Sequence, residues 1–383
     1  MTAAELRPEL GGLRVVLVHD WLTGMRGGEK VLECFCRLFP QAPILTLVHA
    51  PGSASPLIES REIHASFLQR MPLAQSHYRH YLPLMPLAIG RLRPPPCDLL
   101  LSSSHCVAKG ARPPKGARHV SYLHTPMRYI WDMYDQYFGP GRGGLARHVM
   151  PFARPWLRRW DVATAKGVDF FLANSHHVAG RIQRFYGRQA KVIHPPVETG
   201  RFAPDGRPRG YYLALGALVP YKRVDLAVRA CTLTRRPLKV VGSGPEEAKL
   251  RAMAGPTVEF LGWRPDSELP GLYAGAKALL FCGEEDFGIT PLEAMASGAP
   301  VIALARGGAL ETVVGPQDPQ GRPATGRFFK KQEPEALVEA MELLEGDAFD
   351  PLALRAHAQA FDTAAFEQNM ADALVEALAG HGR

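Results

Sequence analysis

Glu285 and Glu293 are separated by seven residues, Asp286-Phe287-Gly288-Ile289-Thr290-Pro291-Leu292. The apolar run Ala278-Leu279-Leu280-Phe281 ahead of them reads as a buried parallel strand. Thr290 is placed as a helix N-cap, Pro291 as the first helical residue and Glu293 as the third, which makes a capping box. The N–H groups of Gly288, Ile289 and Thr290 then point out of a helix start, at the positive end of its dipole. Such a start suits a phosphate. Carboxylates at Glu285 and Glu293 would accept hydrogen bonds from hydroxyls beside it, and a carboxylate has acceptor sites enough to cap and bind together.

Further residues could share that work. Lys222 and Arg223 stand at the start of a helix predicted over Val224–Cys231, where two fixed cations suit a diphosphate; alone they read equally well as solvated charges. Gly242-Ser243-Gly244-Pro245 follows a predicted strand and allows close backbone approach to a ligand. Gly27-Gly28 does the same at an earlier helix start, but its spacing is not GxGxxG. His124 and Arg128 follow the strand His119–Leu123, at the carboxyl end where open α/β sheets bind ligands. A lone histidine is more often structural. Ser175 caps the predicted helix His176–Tyr186.

The block Glu285, Phe287-Gly288, Pro291 to Ala296, Gly298 and Pro300-Val301 resembles the family 4 glycosyltransferases, whose signature is two glutamates with seven residues between them. The resemblance covers nearly the whole chain and implies the GT-B fold: α/β, two doubly wound Rossmann-like domains facing a cleft. It implies that Glu285 holds the donor sugar, that Glu293 binds the ribose, and that the loop at Phe287 belongs to the donor site. By the same likeness Gly27-Gly28 lies near the donor diphosphate and acceptor. His124 lies beside the reacting sugar, with Arg128 and Ser175 on the acceptor side. The backbone near Trp263 reads the base; Trp263 would otherwise be an edge residue of the core. Ala217 departs from the pattern, which usually has a basic residue there, and leaves open whether Arg223 replaces it. The implied reaction retains anomeric configuration by same-face attack, with no metal and no cofactor beyond the nucleotide-sugar. A hexose would pass to a glycan or lipid-linked acceptor; GDP-mannose is named from family members that share the stretch His124–Asp132.

The elements that must carry these residues are two βα-type halves. The first runs over residues 1–196. The second runs over 197–362, after the Pro-rich stretch from His194, and the family resemblance implies that the closing helix over 363–383 packs back on the first. Pro151 to Lys166 is a basic amphipathic helix, and 133–150 a mobile loop. Residues 66–96 mix apolar residues with Arg70, Arg79, Arg91 and Arg93. They read either as a helix pair lying on anionic lipid or as a face packed on the sheet; Pro72, Pro83 and Pro86 weigh toward the second.

The chain has 383 residues and a net charge of +8. That charge is uneven: residues 1–200 carry about +12 and the remainder about −4. The basic half should face something anionic. No zinc finger, RRM signature or dense basic run points to nucleic acid, so a membrane surface or lipid phosphate fits better. Six scattered cysteines form no metal or redox motif and suit reduced thiols in a cytoplasm. Acidic and basic residues interrupt the start before any signal-like run, and no stretch reaches the roughly 20 apolar residues of a bilayer span. The expected location is cytoplasmic, at the inner face of the plasma membrane where peripheral contact is made. Two other functions fit the same fold: a nucleotide-sugar epimerase, using His124 and Glu285 as acid and base, and a non-catalytic scaffold, to which Ala217 points.

Overall fold

The computed structural model describes residues 1–139 and 146–379. Its contacts divide the chain into two compact units, Met1–Pro196 with the segment from Ala364 onward, and Val197–Thr363.

The first unit holds seven strands: β1 (Val15–His19), β2 (Ile44–Thr46), β3 (Ile63–Ala65), β4 (Leu99–Ser104), β5 (Arg118–Leu123), β6 (Phe170–Ala173) and β7 (Lys191–Val192). All pair in parallel, in the order β3-β2-β1-β4-β5-β6-β7. Parallel strands covered on both faces read as nearly continuous apolar runs, and β1 is buried at every residue, its closing His19 included. Alternate residues feed two cores. Val15, Leu17 and Leu101 pack with Val31, Leu32 and Phe35 of the helix Gly27–Leu38. Val16, Val18 and Leu100 pack on the other face with Leu68, Tyr78, Leu82, Met85 and Ile89.

That second core takes up the apolar face of 66–96, as the packed-face reading expects, and leaves its arginines outside. The segment is a run of short helical turns broken at its prolines, with its larger apolar residues mostly inside. The helix expected from Pro151 begins earlier, as Ala146–Ala165, with Pro151 and Pro155 inside it. The loop expected over 133–150 is therefore helical at 134–138 and from Ala146, and its residues 140–145 lie outside those described.

The second unit holds β8 (Tyr211–Leu215), β9 (Leu238–Val241), β10 (Val258–Gly262), β11 (Ala276–Phe281), β12 (Val301–Leu304) and β13 (Gly326–Phe329). They are parallel in the order β10-β9-β8-β11-β12-β13. Both sheets reverse their winding beside their first strand, between β1 and β4 and between β8 and β11, which is the doubly wound plan. β13 and the helix Glu247–Met253 carry no strong sequence signal. The helix expected over 266–276 is shorter, Leu269–Ala274, because Lys277 and its neighbours already belong to β11.

The closing helix, Thr363–Ala379, buries Phe366, Met370 and Leu374 in the first unit's core. Phe366 stacks on Phe35 with ring centres 6.2 Å apart, and Arg37 Nε donates to Glu367 Oε1 at 2.6 Å. Phe366→Ala should cost the first unit about 3–5 kcal/mol in denaturant unfolding; a loss below 1 kcal/mol would mean the helix adds nothing to that core.

Candidate functional site

In the second unit three turns meet at the carboxyl ends of β8, β9 and β11. Gly216 N–H donates to the Val241 carbonyl at 3.0 Å and Leu218 N–H to the Ser243 carbonyl at 2.9 Å. The approach is so close that a methyl on Gly242 would lie 1.9 Å from the Gly216 carbonyl oxygen, and one on Gly244 2.4 Å from that of Leu218. These two glycines, expected to let a ligand approach the backbone, also admit one turn against another. The third turn follows the same rule: a methyl on Gly283 would lie 2.7 Å from the Lys222 Cα. Gly307-Gly308 supports the loop from below, with Gly308 N–H donating to the Glu285 carbonyl at 2.8 Å. Gly307-Gly308 reads from the sequence as a structural turn before a helix, in line with this support; Gly283 is missed by sequence reasoning because its role exists only when separate turns touch.

Packed this way, Lys222 and Glu285 face each other. Lys222 Nζ donates to Glu285 Oε1 at 2.6 Å, with 16% and 19% of the two side chains exposed. The lysine passes Gly216, where a methyl would sit 3.2 Å from Nζ. Arg223 turns elsewhere, into a two-point pair with Asp225 at 2.9 and 3.1 Å. Its charge is thus shared locally, unlike the two open cations expected here.

The capping box at Thr290 does not form. The helix runs Ile289–Ala296, and Gly288 occupies the cap position at φ +93°. That left-handed backbone turns the loop straight into the helix, two residues before Pro291. Pro291 is third in the helix, where a missing N–H still breaks no helical bond. Gly288, Ile289 and Thr290 thus form the helix start next to Glu285, reached through the buried Phe287. Glu293, one turn in, is buried and accepts a hydrogen bond from Tyr273 Oη at 2.8 Å. Burial, then the Glu293 carboxylate, push the Tyr273 phenol well above its usual range. Trp263 follows β10 with 72% of its surface exposed, so the alternative of a core-edge residue fails.

In the first unit His124 directly follows β5. Its Nε2 lies 2.8 Å from Ser103 Oγ, and His19 Nδ1 lies 3.1 Å from the same oxygen. A hydroxyl has one proton, so it donates to one imidazole and accepts from the other. His19 Nε2 is 3.7 Å from Glu29 Oε1, on the helix that starts at Gly27-Gly28. A methyl on Gly28 would be 3.7 Å from His124 Nε2, so that helix start borders the ring. Asp20 Oδ1 and Oδ2 accept the amides of His105, Cys106, Val107 and Ala108 at 2.6–2.9 Å, fixing the turn after β4. Burial, followed by His105, His19 and Arg128, pushes His124 well below the usual imidazole range. At neutral pH it is an uncharged ring able to donate and accept.

The loop after His124 is clamped by Asn174, part of the Asn174-Ser175 cap read from the sequence, and by Arg181, which single-sequence reading passes over. Asn174 Nδ2 donates to the His124 carbonyl at 3.0 Å. Arg181 grips Asp132 at 2.6 and 3.0 Å and Thr125 Oγ1 at 2.5 Å. Ser175 accepts from Val178 N–H at 3.0 Å and donates to Asn174 Oδ1 at 3.1 Å, which is capping work. Among the described residues no cluster of His, Cys, Asp and Glu is arranged to hold a metal ion, and the six cysteines are buried free thiols.

Two sequence profiles match: Glycosyltransferase Family 4 over residues 25–201 and Glycosyl transferases group 1 over 205–363. The chain belongs to the family 4 glycosyltransferases. It is 33% identical over 198 residues to the GDP-mannose-dependent alpha-(1-6)-phosphatidylinositol monomannoside mannosyltransferase of Mycolicibacterium smegmatis, covering 43% of this chain and 51% of that one. A D-inositol 3-phosphate glycosyltransferase of Salinispora tropica is 29% identical over 257 residues, covering 56% and 52%. The chain thus aligns with about half the length of these curated relatives. Among solved structures, Anabaena HepE in complex with UDP superposes with TM-score 0.69 at 18% identity, covering 95% of this chain and all of that one. Sucrose-phosphate synthase of Thermosynechococcus elongatus gives 0.67 at 17%, covering 96% and all of that chain. The family 4 chain therefore has the GT-B fold.

Burial also lowers His105 and brings His119 down to about 4. An imidazole that stays neutral when folded but takes a proton near pH 6.5 when unfolded stabilises the fold above that pH and loses the contribution as pH falls. Between pH 6.5 and 4 His119 should remove up to about 1.4 kcal/mol per pH unit, and His105 and His124, both lowered, act in the same direction as pH falls below 6.5. Denaturant midpoints at pH 7.5, 6.5 and 5.5 measure this; a flat profile would mean the rings are protonated in the folded chain.

Proposed function

We propose that this protein moves a hexose, with mannose the first choice, from a GDP-activated donor to a glycan or lipid-linked acceptor. The second unit takes the donor and the first serves the acceptor. The observation that carries this is the Lys222–Glu285 contact, made next to the helix start at Gly288. One ammonium, one carboxylate and a set of helix-start amides are what a sugar diphosphate requires: positive groups for the phosphates and an acceptor for sugar hydroxyls. The donor's phosphates would draw Lys222 away from Glu285 and leave that carboxylate for the sugar.

The difficult step is loss of the nucleoside diphosphate as positive charge grows on the anomeric carbon. Lys222 and the Gly288–Thr290 amides take up the negative charge that leaves, without a metal. A leaving phosphate oxygen accepts the acceptor's proton, so configuration is retained and no enzyme nucleophile is assigned. His124, neutral and held by Ser103, orients the sugar, with Gly27 and Gly28 against the diphosphate and Arg128 and Ser175 toward the acceptor. Glu293 takes the ribose, Trp263 marks the base and Arg223 adds charge nearby. The names of the mannosyltransferase relatives support the choice of donor. A basic first half supports work at an anionic membrane, at the inner face of the plasma membrane. No helix among the described residues is long and apolar enough to cross a bilayer.

Lys222→Ala and Glu285→Ala should each lower transfer from GDP-mannose by about 10²–10³-fold while thermal unfolding stays cooperative. Radiolabelled transfer into a lipid extract, alongside UDP- and ADP-sugars, measures it. Wild-type rates in both variants would end this reading, and an epimerised donor without acceptor would replace it.

A further inference from the structure

The helix Ala146–Ala165 has two unlike faces. Met150, Leu157, Asp161 and Ala165 are buried against the first unit. On the opposite side Val149, Phe152 and Trp156 are 49%, 84% and 47% exposed. Arg159 continues that stripe, also exposed, and all four fall within roughly a quarter of the helical wheel. Three large apolar residues in line, ending in a cation, are an unusual thing to leave in water.

The sequence around the stripe tells which partner it suits. No aspartate or glutamate occurs between Asp135 and Asp161, and none between Glu62 and Asp98. The second of these acid-free stretches includes the turn Tyr78–Leu84, which packs against the same helix. It exposes Arg79, Arg91 and Arg93, with Leu84 and Leu87 also at the surface. Aromatic side chains flanked by arginines, on stretches that carry no acid of their own, match an anionic lipid–water boundary.

We infer that the Val149–Phe152–Trp156 stripe is the part of this protein that enters an anionic phospholipid bilayer surface. This rests on the proposed transfer to a membrane-borne acceptor and names the element that meets the membrane. The helix's other contacts give the position a purpose. Arg154 Nε and Arg158 Nε both donate to the Ile130 carbonyl, at 2.9 and 2.7 Å, on the loop that follows His124. A helix seated in the headgroups would hold that loop at the bilayer surface, where a lipid-linked acceptor presents its sugar.

The test is co-sedimentation of the full chain with phosphatidylcholine vesicles, with and without phosphatidylglycerol. Wild type should pellet with the anionic vesicles only. Phe152→Ser with Trp156→Ser should weaken that binding about tenfold or more. Should that double variant fail to fold, Trp156→Phe gives a second reading: it should keep binding but lose most of the tryptophan quenching by brominated acyl chains. Glu285→Ala should pellet like wild type while failing in transfer, which separates this surface from the donor site. Undiminished binding by the double variant, undiminished quenching in Trp156→Phe, or equal binding to neutral vesicles would overturn the inference. So would a wild-type dimer that the double variant dissolves without any vesicle binding, since a second copy would then be the occupant.

Discussion

Backbone approaching backbone is the constraint on which the second unit depends. Turns after β8, β9 and β11 touch at distances that exclude even a methyl group at Gly242, Gly244 and Gly283. Only then does the lysine of one turn reach the glutamate of another. A charge pair on long flexible side chains is ordinarily weak at a surface, because ordering both ends costs entropy. Here the turns are already fixed and both side chains are largely covered, so less freedom remains to be lost. The same rigidity keeps the Gly288 helix start beside the pair, and preorganised dipoles are worth most when they need not move.

The first unit reaches order by another route, through shared protons. Ser103 lies between two imidazoles, and Asp20 gathers four amides of one turn. Buried polar groups of this kind are costly unless partnered, and the partners fix each ring's direction. Whichever imidazole accepts the Ser103 proton, the other donates to its oxygen, so the tautomers of His19 and His124 are coupled through one hydroxyl.

Much of this was legible before any coordinates. Continuous apolar runs such as Val15–Val18 and Ala278–Phe281 announce buried parallel strands, and the double glutamate with its glycines and proline announces the family. The helix cap at 288–293 was misplaced because Thr-x-x-Glu is a strong local signal, while a glycine at φ +93° makes its own helix entry. Glu293 then answered to Tyr273, twenty residues earlier, which no local pattern reveals. Arg181 and Gly283 were invisible for the same reason: each acts on a loop distant in sequence. The 66–96 segment carried an apolar count that suits a core or a lipid surface alike, and only burial shows which of its side chains the core takes.

The pair Lys109–Asp161 shows how far the first unit's site and its outer helix form one piece. A buried lysine and aspartate invite a catalytic reading, but their groups are already engaged. Lys109 Nζ lies 2.9 Å from Asp161 Oδ1 and donates to the Asp161 carbonyl at 2.7 Å and Thr164 Oγ1 at 2.9 Å. Asp161 Oδ2 accepts from Trp131 Nε1 and Tyr186 Oη, both at 2.8 Å. Removing one partner of such a pair leaves a buried charge, typically worth 3–5 kcal/mol of lost stability on the general scale for buried ion pairs, about the margin by which many domains stay folded. Because Trp131 closes the loop that begins at His124, this network joins that loop to the helix carrying Phe152 and Trp156. Whatever seats the outer face of that helix therefore also sets where the His124 loop stands.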